Sequence, residues 1–129
     1  MSFDLDEKYL VEAEEKLGVS LPPTYRAAMI QKNGGEVKVA GDRWQLIPIL
    51  DKSDRKRLAR TCNDIVRETN EKTKWAGWSE GAICLAENGT GDALVFLTGD
   101  KVCDAAVHCW RHETGATCKV AKDFADLAR

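Results

Sequence analysis

The chain has 129 residues, 43% of them hydrophobic, with a formal net charge of -2 and a pI of about 5.7. This length and apolar content predict one compact domain over residues 1–129. The slightly acidic balance argues against nucleic acid as a partner, because proteins that bind phosphate backbones usually carry a clear basic excess. No stretch approaches the ~20 apolar residues of a membrane span, and the acidic N-terminal region lacks the pattern of a secretion signal. We therefore expect a cytoplasmic protein without a membrane partner.

Two helices are predicted at the start of the chain. Asp4 followed by Glu7 resembles a capping box that begins a helix over 5–17, and Gly18 is suited to end it. Apolar residues at helical spacing form the inward stripe of that helix: Leu10, Ala13 and Leu17. Pro22 and Pro23 fit the first turn of a second helix, because a missing amide costs little there. The Asn-Gly-Gly run at 33–35 ends it.

The pattern then changes to a strand pair and a further helix. Alternating residues predict strands near 36–39 and 44–49, with Pro48 at a sheet edge or a strand end. Ser53 or Asp54 can cap one long helix to about residue 73, with four inward positions: Leu58, Cys62, Ile65 and Val66. Its other face mixes many basic residues with some acidic ones. That mixture is typical of a solvated face, and a partner surface is the alternative.

Residues 81–97 are predicted to form the centre of the fold. Two apolar runs, 82–86 and 93–97, have the length of strands buried on both faces. The turn between them, 88–92, contains two glycines that reach positive φ easily, and Asn and Asp side chains that can bond their own backbone. Before this hairpin, Trp75 and Trp78 lie in a loop. Their rings are predicted to cap the core, with a binding role as the alternative.

The last third of the chain predicts a turn at 98–101, a strand over 105–110, a turn at 112–115, a short strand at 118–120 and a terminal helix at 123–127. The predicted class is therefore α+β, with a mostly antiparallel sheet flanked by helices in the order α-α-β-β-α-β-β-β-β-α.

The five cysteines have no C-x-x-C spacing, so we expect no disulfide framework, and Cys62 and Cys84 are predicted to be reduced core residues.

A catalytic site and a metal site are the alternatives to a structural role for the polar residues in the second half of the chain. Asp92, His108, His112 and Glu113 contain the elements of an acid-base pair, but the two adjacent residues at 112 and 113 point to opposite sides of an extended backbone. Polar side chains that stabilise turns explain the pattern better. The spacing of histidines and cysteines after residue 100 fits no standard zinc pattern, and the loop at 87–92 is too short for calcium. The predictions are accordingly no metal, no cofactor and no enzymatic activity.

Four features that follow one another along the chain resemble those of a known family. These are Leu21-Pro22 before Tyr25, the run 33–35, the turn 88–92, and Trp110-x-His112-Glu113-Thr114-Gly115. The chain resembles the SUKH superfamily, the Smi and Knr type domain of fungal cell-wall regulators and many bacterial proteins. The resemblance implies an α+β domain that binds proteins. Bacterial members are thought to neutralise secreted or contact-delivered toxins as immunity proteins, whereas fungal members act as interaction hubs. The long helix predicted over 53–73 favours a bacterial subgroup.

On this basis the sequence predicts a protein-binding domain, an immunity protein that occludes a toxin without carrying out chemistry. A housekeeping interaction scaffold is the first alternative, and a small hydrolase using Asp92 and His112 is the second. The chain is expected to be a monomer or a homodimer. Interface anchors are often Trp, Tyr and Arg, so the candidate binding residues are the exposed members of one set and their polar neighbours: Trp44, Trp75, Trp78, Asp92, Trp110, Arg111, His112 and Glu113.

Overall fold

A computed structural model describes residues 3–129 and contains a six-stranded antiparallel sheet with helices packed around it. The strands follow one another across the sheet in chain order, so each is hydrogen-bonded to its neighbours in sequence. The predicted α+β class is confirmed, and the order of elements matches the predicted one except that the third predicted helix is divided in two. The elements are α1 (Glu7–Leu17), α2 (Pro23–Gln31), β1 (Glu36–Val39), β2 (Asp42–Leu46), α3 (Arg55–Thr61), α4 (Ile65–Lys72), β3 (Ile83–Glu87), β4 (Ala93–Gly99), β5 (Val102–Trp110), β6 (Thr117–Ala121) and a 3₁₀ helix (Phe124–Asp126).

Both faces of the central strands are covered, as their unbroken apolar runs predict. Tyr25 of α2 packs edge-on against Phe96 of β4 at 5.3 Å between ring centroids, and against Phe124 at 5.1 Å. Ala93 lies three residues from Phe96 and therefore faces the other side of the sheet. Its cross-strand partner Trp110 shares that other face. Helix α2 and the 3₁₀ helix thus cover one face, and the aromatic loop before β3 covers the opposite one.

The start of α1 differs from the predicted capping box. Asp6 is the N-cap residue, and its carboxylate accepts the Lys8 amide at 3.0 Å. Asp4 instead forms a salt bridge with Arg57, with 2.9 Å between its carboxylate and the guanidinium. The helix therefore begins two residues later than the predicted start. Its end is as predicted, because Gly18 takes the left-handed conformation with φ of 77°.

The single helix predicted over 53–73 is wrong, because two helices occupy this stretch. Helix α3 ends at Thr61, and Asp64 caps α4 by accepting the amides of Val66 and Arg67 at 2.9 and 3.1 Å. The break rotates the apolar stripe, so the inward positions predicted for Leu58 and Cys62 are also wrong and both side chains are exposed. The helix length consequently gives no support to a bacterial subgroup.

The C-terminal segment lies along one edge of the sheet. Strand β1 is bridged on its outer side by the C-terminal segment, where the Lys38 amide donates to the Ala128 carbonyl at 2.8 Å. Pro48 lies two residues beyond Leu46, the last residue of β2, in agreement with its predicted place at a strand end. Among residues 3–129, no helix has the length and apolar character needed to cross a membrane.

Candidate functional site

The β3–β4 turn and the β5–β6 turn lie side by side and form what we call the Asp92 corner, made of Asp92, Arg111, His112 and Glu113. The side chain of Asp92 is 11% exposed, and its carboxylate connects the two turns. One oxygen, Oδ1, accepts the His112 backbone amide at 3.0 Å and lies 2.6 Å from Nδ1 of the same residue. The other, Oδ2, accepts from Arg111 Nη1 at 3.1 Å. The corner is thus fixed by a buried acceptor.

This geometry assigns the hydrogens of the pair. Burial of Asp92 opposes ionisation, but hydrogen bonds from the backbone and ring of His112, and from Arg111, outweigh burial and hold the pKa of the carboxyl below its usual value. An ionised carboxylate only accepts hydrogen bonds, so Nδ1 of His112 must carry the hydrogen. The other ring nitrogen, Nε2, forms no hydrogen bond within residues 3–129.

Asp92 does not make the local turn bonds predicted for it. That role belongs to Asn88, whose side-chain oxygen accepts the amide and the hydroxyl of Thr90 at 3.1 and 2.7 Å. Gly91 allows the close approach of the two turns, because its φ is +100° and an added Cβ would lie 3.1 Å from the His112 ring. Turn chemistry therefore supplies the reversal, and Asp92 holds the neighbouring turn.

Three tryptophans pack together beside the corner and form what we call the tryptophan cluster. Trp110 is 1% exposed, and its ring lies 4.8 Å from Trp78 and 6.1 Å from Trp75 between centroids. Its indole nitrogen donates to the Gly77 carbonyl at 2.9 Å. The loop passes so close to the β5–β6 turn that a Cβ on Gly115 would lie 2.9 Å from the same carbonyl oxygen. Trp110 therefore anchors the loop that presents Trp75.

Lys72 is a member of this surface that sequence reasoning missed. The residue is 3% exposed, and its ammonium lies 3.9 Å from the centroid of the Trp75 ring, a cation–π contact. It also pairs with Glu87 of β3 and lies 3.8 Å from Glu68. In the sequence it belongs to a polar helical stretch, so no periodicity signal distinguishes it from a solvated lysine.

The structure separates the predicted binding residues into buried and accessible ones. Trp44 and Trp110 are 3% and 1% exposed, so their prediction as surface anchors is corrected to a role in the core. Trp78 is half-buried and Trp75 is 41% exposed. The three polar residues of the corner that follow Trp110 are exposed: Arg111, His112 and Glu113.

Two hollows flank the β3–β4 turn. One, of about 200 Å³, is lined by the residues of the Asp92 corner and Thr114. The other, of about 220 Å³, lies between Trp75, Lys72, Glu87 and the turn. Both are lined by Asp92, so the corner and the exposed tryptophan border one surface. Within residues 3–129, no group of three or more His, Cys, Asp or Glu side chains is placed to hold a metal ion.

Comparison with known protein families gives a match that spans nearly the whole chain. The model of the SMI1/KNR4 family (SUKH-1) matches residues 4–129. The chain belongs to the SMI1/KNR4 family. The resemblance stated from four sequence features is thereby confirmed. Domains of the SMI1/KNR4 family bind partner proteins, while a search of curated proteins found no match for this chain.

Proposed function

We propose that this SMI1/KNR4 domain is a bacterial, cytoplasmic immunity protein that neutralises a secreted or contact-delivered toxin by direct binding. Family membership over residues 4–129 is the observation that carries the proposal. The surface formed by Trp75 and the Asp92 corner supports it, since hot spots of protein interfaces favour Trp and Arg surrounded by polar groups. In this proposal the domain blocks the toxin by occupying its surface and performs no chemistry.

The geometry supports a binding surface that is ordered before the partner arrives. The Lys72 ammonium lies against the face of the Trp75 ring, and the buried carboxylate of Asp92 holds both Arg111 and His112. Side chains that are already fixed lose less conformational entropy on binding. Trp75 is the proposed anchor because, of the candidate tryptophans, it has the largest exposed fraction, 41%.

The test is co-expression with the toxin encoded beside the gene, followed by measurement of the complex. The wild-type chain should relieve killing and be recovered bound to the toxin. Trp75→Ala should weaken the complex by about 30-fold, the equivalent of a hot-spot loss of about 2 kcal/mol. Val102→Ala is the matched control, because Val102 is an apolar side chain that is 66% exposed and lies outside both hollows. Unrelieved killing with no recovered complex removes the proposal for that toxin.

A small hydrolase is the second candidate, and one observation favours it. Asp92 and His112 are within hydrogen-bond distance at 2.6 Å and line one hollow, as an orienting carboxylate and a general base would. Among residues 3–129, the one hydroxyl that lines that hollow belongs to Thr114, and its oxygen accepts the Ala116 amide at 3.2 Å. Hydrolysis of ester or phosphodiester probes that is abolished by His112→Asn would favour this candidate over the immunity protein.

A further inference from the structure

A third hollow, of about 570 Å³, lies between the end of α2, the outer strands β1 and β2, and α3. Its lining includes three cationic residues, Lys32, Arg60 and Arg129, and one carboxylate, Glu36. We call this hollow the cationic groove. Within the described part of the chain, residues 3–129, it shares no lining residue with the two hollows beside Asp92. It therefore constitutes a surface additional to the one proposed for the toxin.

Arg129 places a fixed positive charge in the cationic groove. Its guanidinium donates to the carbonyl oxygens of Ala28 at 3.0 Å, Gly34 at 2.6 Å and Lys32. Burial lowers the pKa of this group, although an arginine remains charged in proteins. Carbonyl oxygens are neutral, and no Asp or Glu of residues 3–129 forms a salt bridge with Arg129. The charge thus lacks a carboxylate partner in the described chain.

Arg60 belongs to the basic face of α3 and lines the same groove. Its guanidinium lies 5.6 Å from the centroid of the Phe3 ring. The Arg57 guanidinium and the Lys56 ammonium lie 4.7 and 5.9 Å from the same centroid. Arg57 is neutralised by the carboxylates of Asp4 and Asp51 at 2.9 and 3.2 Å. Arg60 and Lys32 both line the groove, and the exposed Lys32 side chain forms no salt bridge within residues 3–129.

The chemistry of the groove favours carboxylates over a nucleic acid. Single-stranded nucleic acid binds where bases can stack on free aromatic faces. Among residues 3–129, the one aromatic residue of the lining is Phe3, and cations cover its ring. Guanidinium and ammonium groups around a polar cleft suit the spaced carboxylates of a peptide. We propose that the cationic groove binds an acidic segment, rich in Asp and Glu, of a partner polypeptide.

The experiment measures the fluorescence anisotropy of labelled hexaglutamate with the full chain at low ionic strength. The wild type should bind this peptide, and Lys32→Glu combined with Arg60→Glu should weaken binding by at least about tenfold. Arg67→Glu combined with Lys119→Glu is the matched control, because both residues are exposed, lie outside the groove and give the same change in net charge. The control should bind hexaglutamate about as well as the wild type does.

Three results would overturn the proposal: no binding by the wild type, equal weakening in both double variants, or tighter binding of hexauridylate than of hexaglutamate. Circular dichroism checks that each variant is folded. If the charge reversals unfold the chain, Lys32→Gln with Arg60→Gln replaces them and must still weaken binding. Relief of toxin killing by the groove variants is a separate readout, so the two proposals can fail independently.

Discussion

Replacing Asp92 with asparagine tests whether one buried carboxylate holds the corner together. Asparagine has the same shape, and its oxygen can still accept both bonds from His112. Each of these two bonds contributes about 2 kcal/mol while the acceptor is ionised. A neutral acceptor makes a hydrogen bond about half as strong, so the two bonds together lose about 2 kcal/mol. The amide would also direct a donor at Arg111 Nη1, which is now 3.1 Å from Oδ2. Because the Arg111 side chain is 59% exposed, that pair adds only about 0.5 kcal/mol.

The expected loss at pH 7 is therefore about 2.5 kcal/mol, or about 10 °C in the unfolding midpoint for a domain of this size. Thermal and urea unfolding of Asp92→Asn measure it. Asp126→Asn is the control, since Asp126 is exposed and its carboxylate makes no hydrogen bond or ion pair in residues 3–129. A loss no larger than that of the control would refute the assignment of Asp92 as the residue that joins the two turns.

The same variant has a defined pH dependence. The pKa of Asp92 is lower in the folded chain than in the unfolded one, so the ionised carboxylate stabilises the fold fully above the unfolded value of about 3.9. That stabilisation disappears as the pH falls through the folded-state pKa. The difference between wild type and Asp92→Asn should therefore shrink at about pH 2.5. An equal difference at both pH values would contradict an electrostatic role.

Three further predictions concern the turns, a helix cap and the thiols. Gly91→Ala should cost more stability than Gly89→Ala, since both have positive φ but only Gly91 lies against another side chain; equal urea midpoints would contradict this. Asp64→Ala should cost about 1 to 2 kcal/mol through loss of the α4 cap, and an unchanged midpoint would show that the cap is dispensable. In the native chain a thiol reagent should label exposed Cys62 and not Cys84, whose pKa burial raises to about 12; mass spectrometry of labelled peptides distinguishes them.

The central hairpin was predictable because its local and tertiary requirements coincide. Apolar runs without alternation require burial on both faces, and residues 83–86 and 93–96 are all buried. Gly18 and Pro23 likewise act through backbone geometry that a sequence encodes directly. Where one residue type permits only a narrow set of conformations, the sequence predicts the element and its boundary together.

The break between α3 and α4 was not predictable from periodicity. The residues from Arg55 to Lys72 keep enough helical spacing for one continuous helix, yet Asp64 can either continue a helix or cap a new one. The choice depends on tertiary bonds. The Ile65 amide donates to the Pro48 carbonyl at 2.9 Å, and Thr69 Oγ1 accepts the Cys84 amide at 3.0 Å. Such contacts between distant segments leave no signal in a local window.

The candidate site was predicted in part, for a related reason. A tryptophan in a loop and one at a strand end both suit an interface or a core, and only the packing of Trp110 against Trp75 and Trp78 shows which ring stays exposed. The proximity of Asp92 to His112 spans 20 residues and depends on the register of β4 with β5. A single sequence shows that both residues are present but not how far apart they lie in the fold.

The two proposed surfaces differ in how their charges are held, and this difference has a kinetic consequence. In the Asp92 corner, a buried carboxylate already fixes Arg111 and His112, so a partner meets ordered groups. In the cationic groove, Arg129 is fixed by carbonyl oxygens, whereas the Lys32 side chain is exposed and forms no salt bridge within residues 3–129. Ordered anchors act mainly on dissociation rates, whereas unpaired rim charges act on association and its salt dependence. Loss of Trp75 should therefore speed release of the toxin, while loss of Lys32 should slow capture of an acidic peptide most strongly at low salt.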